Sequence, residues 1–173
     1  MRLFIAIDFN ELNDYFVELQ SHFPKNGRLS LTKTFHLTLK FLGEVQPHIA
    51  DRVIESLKKI DFGQFSVQLG SIGVFPTDTY IRVVWVGLQP EGRIMELQKQ
   101  IDDALENLFK KEKDFKVHIT LARVKYLEDN KSFLEQIKRI KVDSKKVEVK
   151  SFMLMKSTLT PDGPAYGQVE MFC

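Results

Sequence analysis

The sequence is poor in cysteine, and this scarcity excludes two classes of protein at once. The one cysteine, Cys173, is the last residue, so neither a disulfide within the chain nor a cysteine-based metal cluster can form. Chains without disulfides are typical of reducing compartments, and we therefore expect a cytoplasmic protein.

Long apolar runs, phosphate-binding loops and a strong excess of charge are also missing. No run approaches the length of about 18 apolar residues that a membrane span needs, and residues 3–7 are too short for a signal-peptide core before Asp8 interrupts them. Neither Gly-x-x-x-x-Gly-Lys nor Gly-x-Gly-x-x-Gly occurs, which leaves nucleoside triphosphates and dinucleotides unsupported. A net charge of +2 is too small for a typical duplex-DNA binder but suits a small anionic ligand or an RNA end.

What remains is the composition of an ordinary globular protein. Of the 173 residues, 43% are hydrophobic and 28% are charged, enough apolar material for a sizeable core. The length favours one domain over residues 1–173, and nothing in the sequence requires more than a monomer.

One stretch, residues 35–43, has a sharp two-residue pattern. Large apolar residues alternate with polar ones, as in a β-strand with one buried face. The predicted buried face consists of Phe35, Leu37, Leu39 and Phe41. The opposite face carries His36, Thr38 and Lys40, held in register because a slip of one residue would bury the histidine.

The same polar pair returns in the second half of the chain. Residues 117–121 repeat His-x-Thr-Leu, with His118 and Thr120 on one face of a second predicted strand. Two copies predict an internal duplication. They also predict a site where two histidines and two threonine hydroxyls converge.

The remaining pattern predicts an α+β fold with two sheet-and-helix lobes around a groove. Strands are expected at 2–9, 34–43, 65–69, 80–88, 117–121, 147–157 and 165–172. Helices are expected after an Asn10 cap, from Pro47, after Gly92, and after a cap at Asp129 or Asn130. Turns are expected at Pro76–Asp78 and at Thr160–Gly163.

The paired motif suits acid–base chemistry at phosphorus. A neutral and a protonated histidine on opposite sides of a reacting group can serve as general base and general acid, because the ordinary histidine pKa lies near neutrality. Two threonine hydroxyls can donate hydrogen bonds to the non-bridging phosphate oxygens. Two histidines without a nearby carboxylate make a poor zinc site, so neither a metal nor another cofactor is expected.

Other candidate residues have two readings. Arg123 lies five residues after His118, which on an ideal strand is the opposite face; a role in the cleft requires a bulge or the strand's end, and a solvated arginine is the alternative. His22 and His48 lack the motif and are expected on helix surfaces. Trp85 and the phenylalanines are expected in the core rather than as base-stacking platforms, and residues 138–150 as a solvated basic face.

The two His-x-Thr-x motifs, at 36–39 and 118–121, resemble those of the 2H phosphoesterase superfamily. More narrowly, the chain resembles the bacterial and archaeal RNA 2′,3′-cyclic phosphodiesterases, also called 2′-5′ RNA ligases, nearly from end to end. The similar stretches are 2–7, 36–45, 73–76 with Arg82 and Trp85, 118–124, and 157–159 with Gly163 and Tyr166. The family often has arginine where this chain has Lys156.

The resemblance implies a bilobal fold with pseudo-twofold symmetry and metal-independent hydrolysis of RNA 2′,3′-cyclic phosphate ends to 2′-phosphomonoesters, with 2′-5′ ligation as the reverse reaction. It implies that His36 is the proton donor and His118 the proton acceptor. It further implies that Thr38, Thr120 and Arg123 bind the phosphate.

Two other functions stay open at this point. The first is a 2H phosphodiesterase acting on another substrate, either a 2′-5′ oligonucleotide or a nucleotide cyclic phosphate. The second is a module that binds phosphorylated nucleotides or RNA without turnover, although loss of one histidine would be expected there and both are present.

Overall fold

The computed structural model describes residues 1–173, which form nine strands and four α-helices. The strands are β1 (Arg2–Asp8), β2 (Gly27–Leu31), β3 (His36–Glu44), β4 (Phe65–Thr77), β5 (Tyr80–Gln89), β6 (Ile119–Leu127), β7 (Lys146–Val149), β8 (Phe152–Thr160) and β9 (Gly163–Phe172). The helices are α1 (Asn13–Ser21), α2 (Pro47–Leu57), α3 (Gly92–Ala104) and α4 (Asn130–Lys138). A short 3-10 helix, Asn10–Leu12, precedes α1.

The strands form two antiparallel sheets that repeat one arrangement. The first sheet has the order β3-β1-β8-β9, and the second has the order β2-β6-β5-β4-β7. The two motif strands, β3 and β6, occupy equivalent positions, and β2 is an addition beside β6. Counted from the motif strand, the third strand of each sheet comes from the other half of the chain: it is β8 in the first sheet and β4 in the second. The predicted α+β fold with two sheet-and-helix lobes is confirmed, and this exchange of strands interlocks the lobes.

One face of each sheet forms the core. Alternate residues of β1 (Leu3, Ile5, Ile7) and of β5 (Val84, Val86, Leu88) belong to a cluster of 38 buried hydrophobic residues. Because neighbouring side chains on a strand point to opposite faces, Phe4 in β1 and Trp85 in β5 lie on the other face of their sheets. Those outer faces carry the two His-x-Thr motifs.

Each motif strand contains a β-bulge at the leucine that follows the motif threonine. Pairing between β3 and β1 passes from Thr38 to Lys40 and skips Leu39. Pairing between β6 and β5 passes from Thr120 to Ala122 and skips the leucine in the same way. A bulge places two consecutive residues of one strand opposite a single residue of its partner, so the side chains that follow the bulge change face.

The bulge overturns the simple alternation predicted for residues 35–43. Phe41, predicted to be buried, is 68% exposed, and Lys40, predicted on the polar face, is only 3% exposed. The prediction holds as far as Leu39 and is wrong beyond it, since the extra residue inverts the pattern.

Four other predictions need correction. The strand predicted over 147–157 is two strands, β7 and β8, which belong to different sheets, so the chain changes sheet at residues 150–151. Strand β2 was not predicted, because it is short and carries polar residues at an edge. Pro76 lies inside β4, and the turn begins at Asp78.

The fourth correction concerns Asn10, which caps no helix. Its side-chain oxygen instead accepts a hydrogen bond from the backbone N–H of Phe35 at 2.7 Å, and the Asp8 carboxylate accepts from the backbone N–H of Asn10. These bonds fasten the start of β3 to the end of β1. Two predicted helix starts are confirmed. Pro47 lies in the first turn of α2, and Asp129 caps α4, its carboxylate accepting a hydrogen bond from the Ser132 N–H.

A buried ion pair joins β3 to α3. The Lys40 ammonium donates to the Asp102 carboxylate at 2.6 Å and to the Lys110 carbonyl at 2.6 Å. Asp102 also accepts hydrogen bonds from the Gln98 side chain at 3.0 Å and from the Glu112 backbone N–H at 2.9 Å. This network ties the first motif strand to the segment that leads into the second motif.

Removing the Asp102 carboxylate should destabilise the fold strongly. Asp102→Ala leaves the buried Lys40 ammonium with only the partly exposed Glu112 carboxylate, at 3.8 Å, as its counter-charge, so we expect the free energy of unfolding to fall by about 3–5 kcal/mol. The neighbouring Asp103 pairs with Lys99 and Lys111 at the surface, where solvent screens the charges, so Asp103→Ala should change the free energy of unfolding far less. Urea unfolding of both variants measures the difference, and equal losses would contradict the role given to the buried pair.

Candidate active site

His36 lies at the start of β3 and is enclosed by aromatic rings. Its ring centroid is 5.1 Å from that of Phe4 and 5.2 Å from that of Tyr166, and Tyr166 meets the imidazole edge-on. Asp8 is its partner on β1. Because no hydrogen bond to the protein holds the imidazole, these ring contacts orient it.

This environment favours the neutral form of His36. Burial is the main reason that its pKa falls from the usual 6.5 to about 4. The Asp8 carboxylate opposes the shift by favouring the imidazolium, and the positive charge of Arg123 lowers the pKa further. An anion bound beside the ring would raise the pKa again, since negative charge favours the protonated form.

His118 directly precedes β6 and is held differently. Its Nδ1 lies 2.8 Å from the Lys116 carbonyl oxygen. A carbonyl can only accept a hydrogen bond, so Nδ1 carries the proton and Nε2 of the neutral ring carries the free lone pair. Rings from the second sheet flank it, with centroids at 4.9 Å for Phe75 and 6.5 Å for Trp85.

The pKa of His118 is also lowered. Burial is the largest cause, the hydrogen bond to Lys116 opposes it, and Arg123 lowers the pKa further. His118 is therefore a neutral acceptor with a defined tautomer near neutral pH. The two histidines thus differ in how they are oriented.

Arg123 reaches the site because of the bulge at Leu121. The register shift returns Arg123 to the face that carries His118 and Thr120, where it pairs with Val83 on β5 and Ser30 on β2. Its side chain is exposed and forms no ion pair with a carboxylate. Since its charge lowers the pKa of both His36 and His118, one guanidinium acts on both motifs.

The two motif threonines occupy matching places. Thr38 pairs with Ala6 on β1, and Thr120 pairs with Trp85 on β5. Both are half-buried on the same sheet faces as the motif histidines. The structure therefore places all five residues predicted for the site on the faces that carry the motifs, and the two motif strands, β3 and β6, contact each other.

Several residues around the site were not predicted there. Phe4 and Phe75 pack on the histidines, and Trp85, expected in the core, lies half-buried beside His118 with its Nε1 buried and unbonded. A side chain at Gly73 would overlap the Trp85 indole, so glycine is required under that ring. Phe4, Phe75 and Trp85 occupy strand positions whose side chains face the site. Alternation along β1, β4 and β5 could have indicated this from the sequence, but only if the bulges had been known.

Among the other residues considered, Lys156 and two histidines lie away from the site, whereas Ser157 lies on its face. Lys156 pairs with Leu3, whose side chain lies on the core face of β1, so this lysine faces away from the histidines. Ser157 pairs with Tyr166 on the histidine face. His22 and His48 are both exposed, the first just after α1 and the second in the first turn of α2.

Two further findings concern possible binding partners. No three His, Cys, Asp or Glu side chains are grouped in a way that could hold a metal ion. None of the helices combines the length and the apolar character needed to cross a bilayer.

Two His-x-Thr motifs on equivalent strands of two interlocked sheets define the class of two-histidine phosphoesterases. The model of the LigT-like phosphoesterase family matches the chain twice, over residues 7–85 and 86–166, once for each motif. The chain belongs to this family.

Similar proteins cover nearly its full length. The chain is 38% identical to the RNA 2′,3′-cyclic phosphodiesterase of Methanocaldococcus jannaschii, with 96% of each chain covered. It is 33% identical to the protein of the same name from Archaeoglobus fulgidus, with 99% of each covered. Among solved structures, TT0787 of Thermus thermophilus has a TM-score of 0.82 at 28% identity, covering 99% of this chain and 97% of that one. Escherichia coli LigT in its apo form has a TM-score of 0.77 at 25% identity, covering 99% and 95%.

The Tyr166 ring should set the pKa of His36. Tyr166→Ala exposes the imidazole to water, so its pKa should rise from about 4 toward 6.5. Tyr166→Phe keeps the ring and should leave the pKa near its original value. Titration of the imidazole proton resonances by NMR measures both variants, and an unchanged pKa in Tyr166→Ala would contradict the assignment.

Proposed function

We propose that this protein hydrolyses RNA 2′,3′-cyclic phosphate ends to 2′-phosphomonoesters by metal-independent acid–base catalysis. The observation that carries the proposal is the complementary pair of histidines. His118 has a free Nε2 fixed by its bond to Lys116, and His36 has a ring free of protein hydrogen bonds. The names of the relatives from Methanocaldococcus jannaschii and Archaeoglobus fulgidus support the same substrate class.

In the proposed reaction, water attacks phosphorus opposite the ribose 3′-oxygen. Nε2 of His118 accepts a proton from the water as the new P–O bond forms. The bond from phosphorus to the 3′-oxygen breaks, and the protonated His36 gives its proton to that oxygen. The 2′-phosphomonoester remains, and the histidines exchange their protonation states until solvent restores them.

Three groups are available to stabilise the negative charge that builds on the non-bridging oxygens. The hydroxyls of Thr38 and Thr120 donate hydrogen bonds from opposite lobes, and Arg123 adds a full positive charge. Groups already oriented toward the developing charge need not reorganise during the reaction, which is why such contacts contribute strongly to catalysis.

The bound substrate raises the pKa of His36 and so favours its protonated, acidic form. With protein groups alone around it, His36 has a pKa of about 4, so little of the imidazolium exists near neutral pH. The anionic phosphate placed beside the ring offsets the charge of Arg123 and raises that pKa, with Asp8 acting in the same direction. Protonated His36 is therefore formed chiefly in the complex. With a 5′-hydroxyl in place of water as the nucleophile, the same groups would open the 2′,3′-cyclic phosphate to a 2′-5′ linkage, His118 accepting the hydroxyl proton and His36 protonating the departing 3′-oxygen.

We also infer that one copy suffices, because a single chain supplies both motifs and Arg123. A monomer is therefore the proposed working form. The single free cysteine, which is exposed, is consistent with the cytoplasmic location expected from the sequence.

Loss of either histidine should reduce turnover without unfolding the protein. We expect His36→Ala and His118→Ala each to lower kcat by about 10²–10⁴-fold, the usual contribution of one acid or base. His48→Ala is the matched control, because His48 is exposed on α2, and it should leave kcat unchanged. The substrate is a short RNA ending in a 2′,3′-cyclic phosphate, incubated with chelator-treated protein, and the product is identified by ³¹P NMR.

A 2′-phosphomonoester formed in the presence of chelator and lost in both variants is the expected result. Near-normal turnover in both histidine variants would rule out the proposed acid–base mechanism. Activity that requires an added divalent ion would contradict its metal independence. Tight binding of the RNA end without any product would favour the binding module over the enzyme.

A further inference from the structure

The two motifs differ at one position that both of them turn toward the site. From the motif histidine onward, residues 36–42 and 118–124 have the same order of buried, half-buried and exposed side chains, including two successive buried residues at the bulge. The fifth residue after the histidine is the exposed one in each copy. It is Arg123 in the second lobe and Phe41 in the first.

The equivalence places Phe41 on the face that carries His36. Phe41 pairs with Phe4 on β1, and the centroids of the two rings are 6.2 Å apart. Phe4 in turn lies 5.1 Å from His36. The Phe41 ring is therefore one ring beyond the catalytic imidazole, on the same face of the sheet.

Phe41 is far more exposed than the aromatic ring beside it. Its exposed fraction is 68%, whereas Phe4 beside it is 3% exposed. Singly exposed apolar side chains are normal at a protein surface; what distinguishes Phe41 is its place on a strand, on the face of His36 and in contact with the ring that packs on that histidine. A single phenyl ring is far smaller than the area that a stable protein interface buries, which favours a small flat ligand.

We propose that Phe41 is a stacking platform for a nucleobase of the RNA end whose cyclic phosphate lies between the two histidines. This rests on the proposed function and names how the enzyme holds the rest of its substrate. RNA-binding proteins commonly stack unpaired bases on aromatic side chains, and such stacking tolerates any base because each has a flat π-face. The equivalent positions of the two motifs would thus bind different parts of the substrate, with Arg123 binding the phosphate and Phe41 binding a base.

A pair of substrates that differ only in the base tests the proposal. The first is a short RNA ending in a 2′,3′-cyclic phosphate, and the second is 1,4-anhydroribitol 2,3-cyclic phosphate, which has the same reacting group and no base. Phe41→Ala should lower kcat/KM on the RNA by about 5- to 150-fold, the worth of one base–aromatic stack, mainly through KM. It should leave kcat/KM on the base-free substrate within about twofold of the original value.

Two other variants serve as controls. Phe41→Trp keeps an aromatic face and should retain activity on the RNA. Met95→Ala removes an exposed apolar side chain from α3, outside the site, and should change neither substrate.

Equal losses on both substrates would overturn the proposal, because they would mean that Phe41 supports the site rather than the base. No loss on either substrate would overturn it as well. A shift from dimer to monomer on Phe41→Ala, measured by sedimentation equilibrium, would instead assign the ring to contact with a second copy.

Failure of the unaltered protein to hydrolyse either substrate would count against the proposed function and not against stacking. In that event calorimetry compares the binding of an RNA with a 2′-phosphate end and of 1,4-anhydroribitol 2-phosphate. Stacking predicts that Phe41→Ala weakens only the RNA, and an equal effect on both ligands would overturn it.

Discussion

The site depends on one backbone feature that occurs twice, the β-bulge at the leucine of each His-x-Thr-Leu motif. Before the bulge, alternation places the histidine and threonine on the outer face and leaves the preceding apolar residues in the core. After it, the extra residue reverses the alternation and turns Phe41 and Arg123 to that same outer face. A straight strand would direct both of these side chains into the core. Each lobe therefore presents three groups from one strand only because the strand is irregular.

The bulge in the first lobe also explains why a lysine is buried there. Lys40 takes the inward place created by the extra residue, and its ammonium donates to the Asp102 carboxylate and to the Lys110 carbonyl, while the Glu112 N–H donates to the other oxygen of that carboxylate. The equivalent position in the second lobe is Ala122, which needs no partner. The two motif strands thus have the same bulged backbone path but differ in the side chain at this position. Lys40 forms an ion pair with α3 in the first lobe, and Ala122 is a small apolar residue in the second.

The sequence was informative wherever local pattern decides structure. The motif faces, the helix starts at Pro47 and Asp129, the final hairpin and the two-lobed fold were all predictable from periodicity and turn chemistry. The positions of Phe41 and Lys40 were not, because a bulge adds one residue without any mark in a two-residue pattern. The division of 147–157 between two sheets was also hidden, since strand exchange is fixed by contacts distant in sequence. For Arg123 the pattern showed only that a role in the cleft required a bulge or the strand's end, and the structure contains a bulge.

In the proposed reaction, His36 gives a proton and His118 takes one at the same phosphate. The most direct test is the pH dependence of kcat/KM for the unaltered protein and for the two alanine variants. Both pKa values lie below 6.5, so kcat/KM should fall about tenfold per pH unit above 6.5 as free His36 loses its proton. His36→Ala should abolish that fall and keep only the rise toward neutral His118, whereas His118→Ala should keep the fall and lose the rise. The opposite pattern, with the alkaline fall surviving in His36→Ala, would contradict the account.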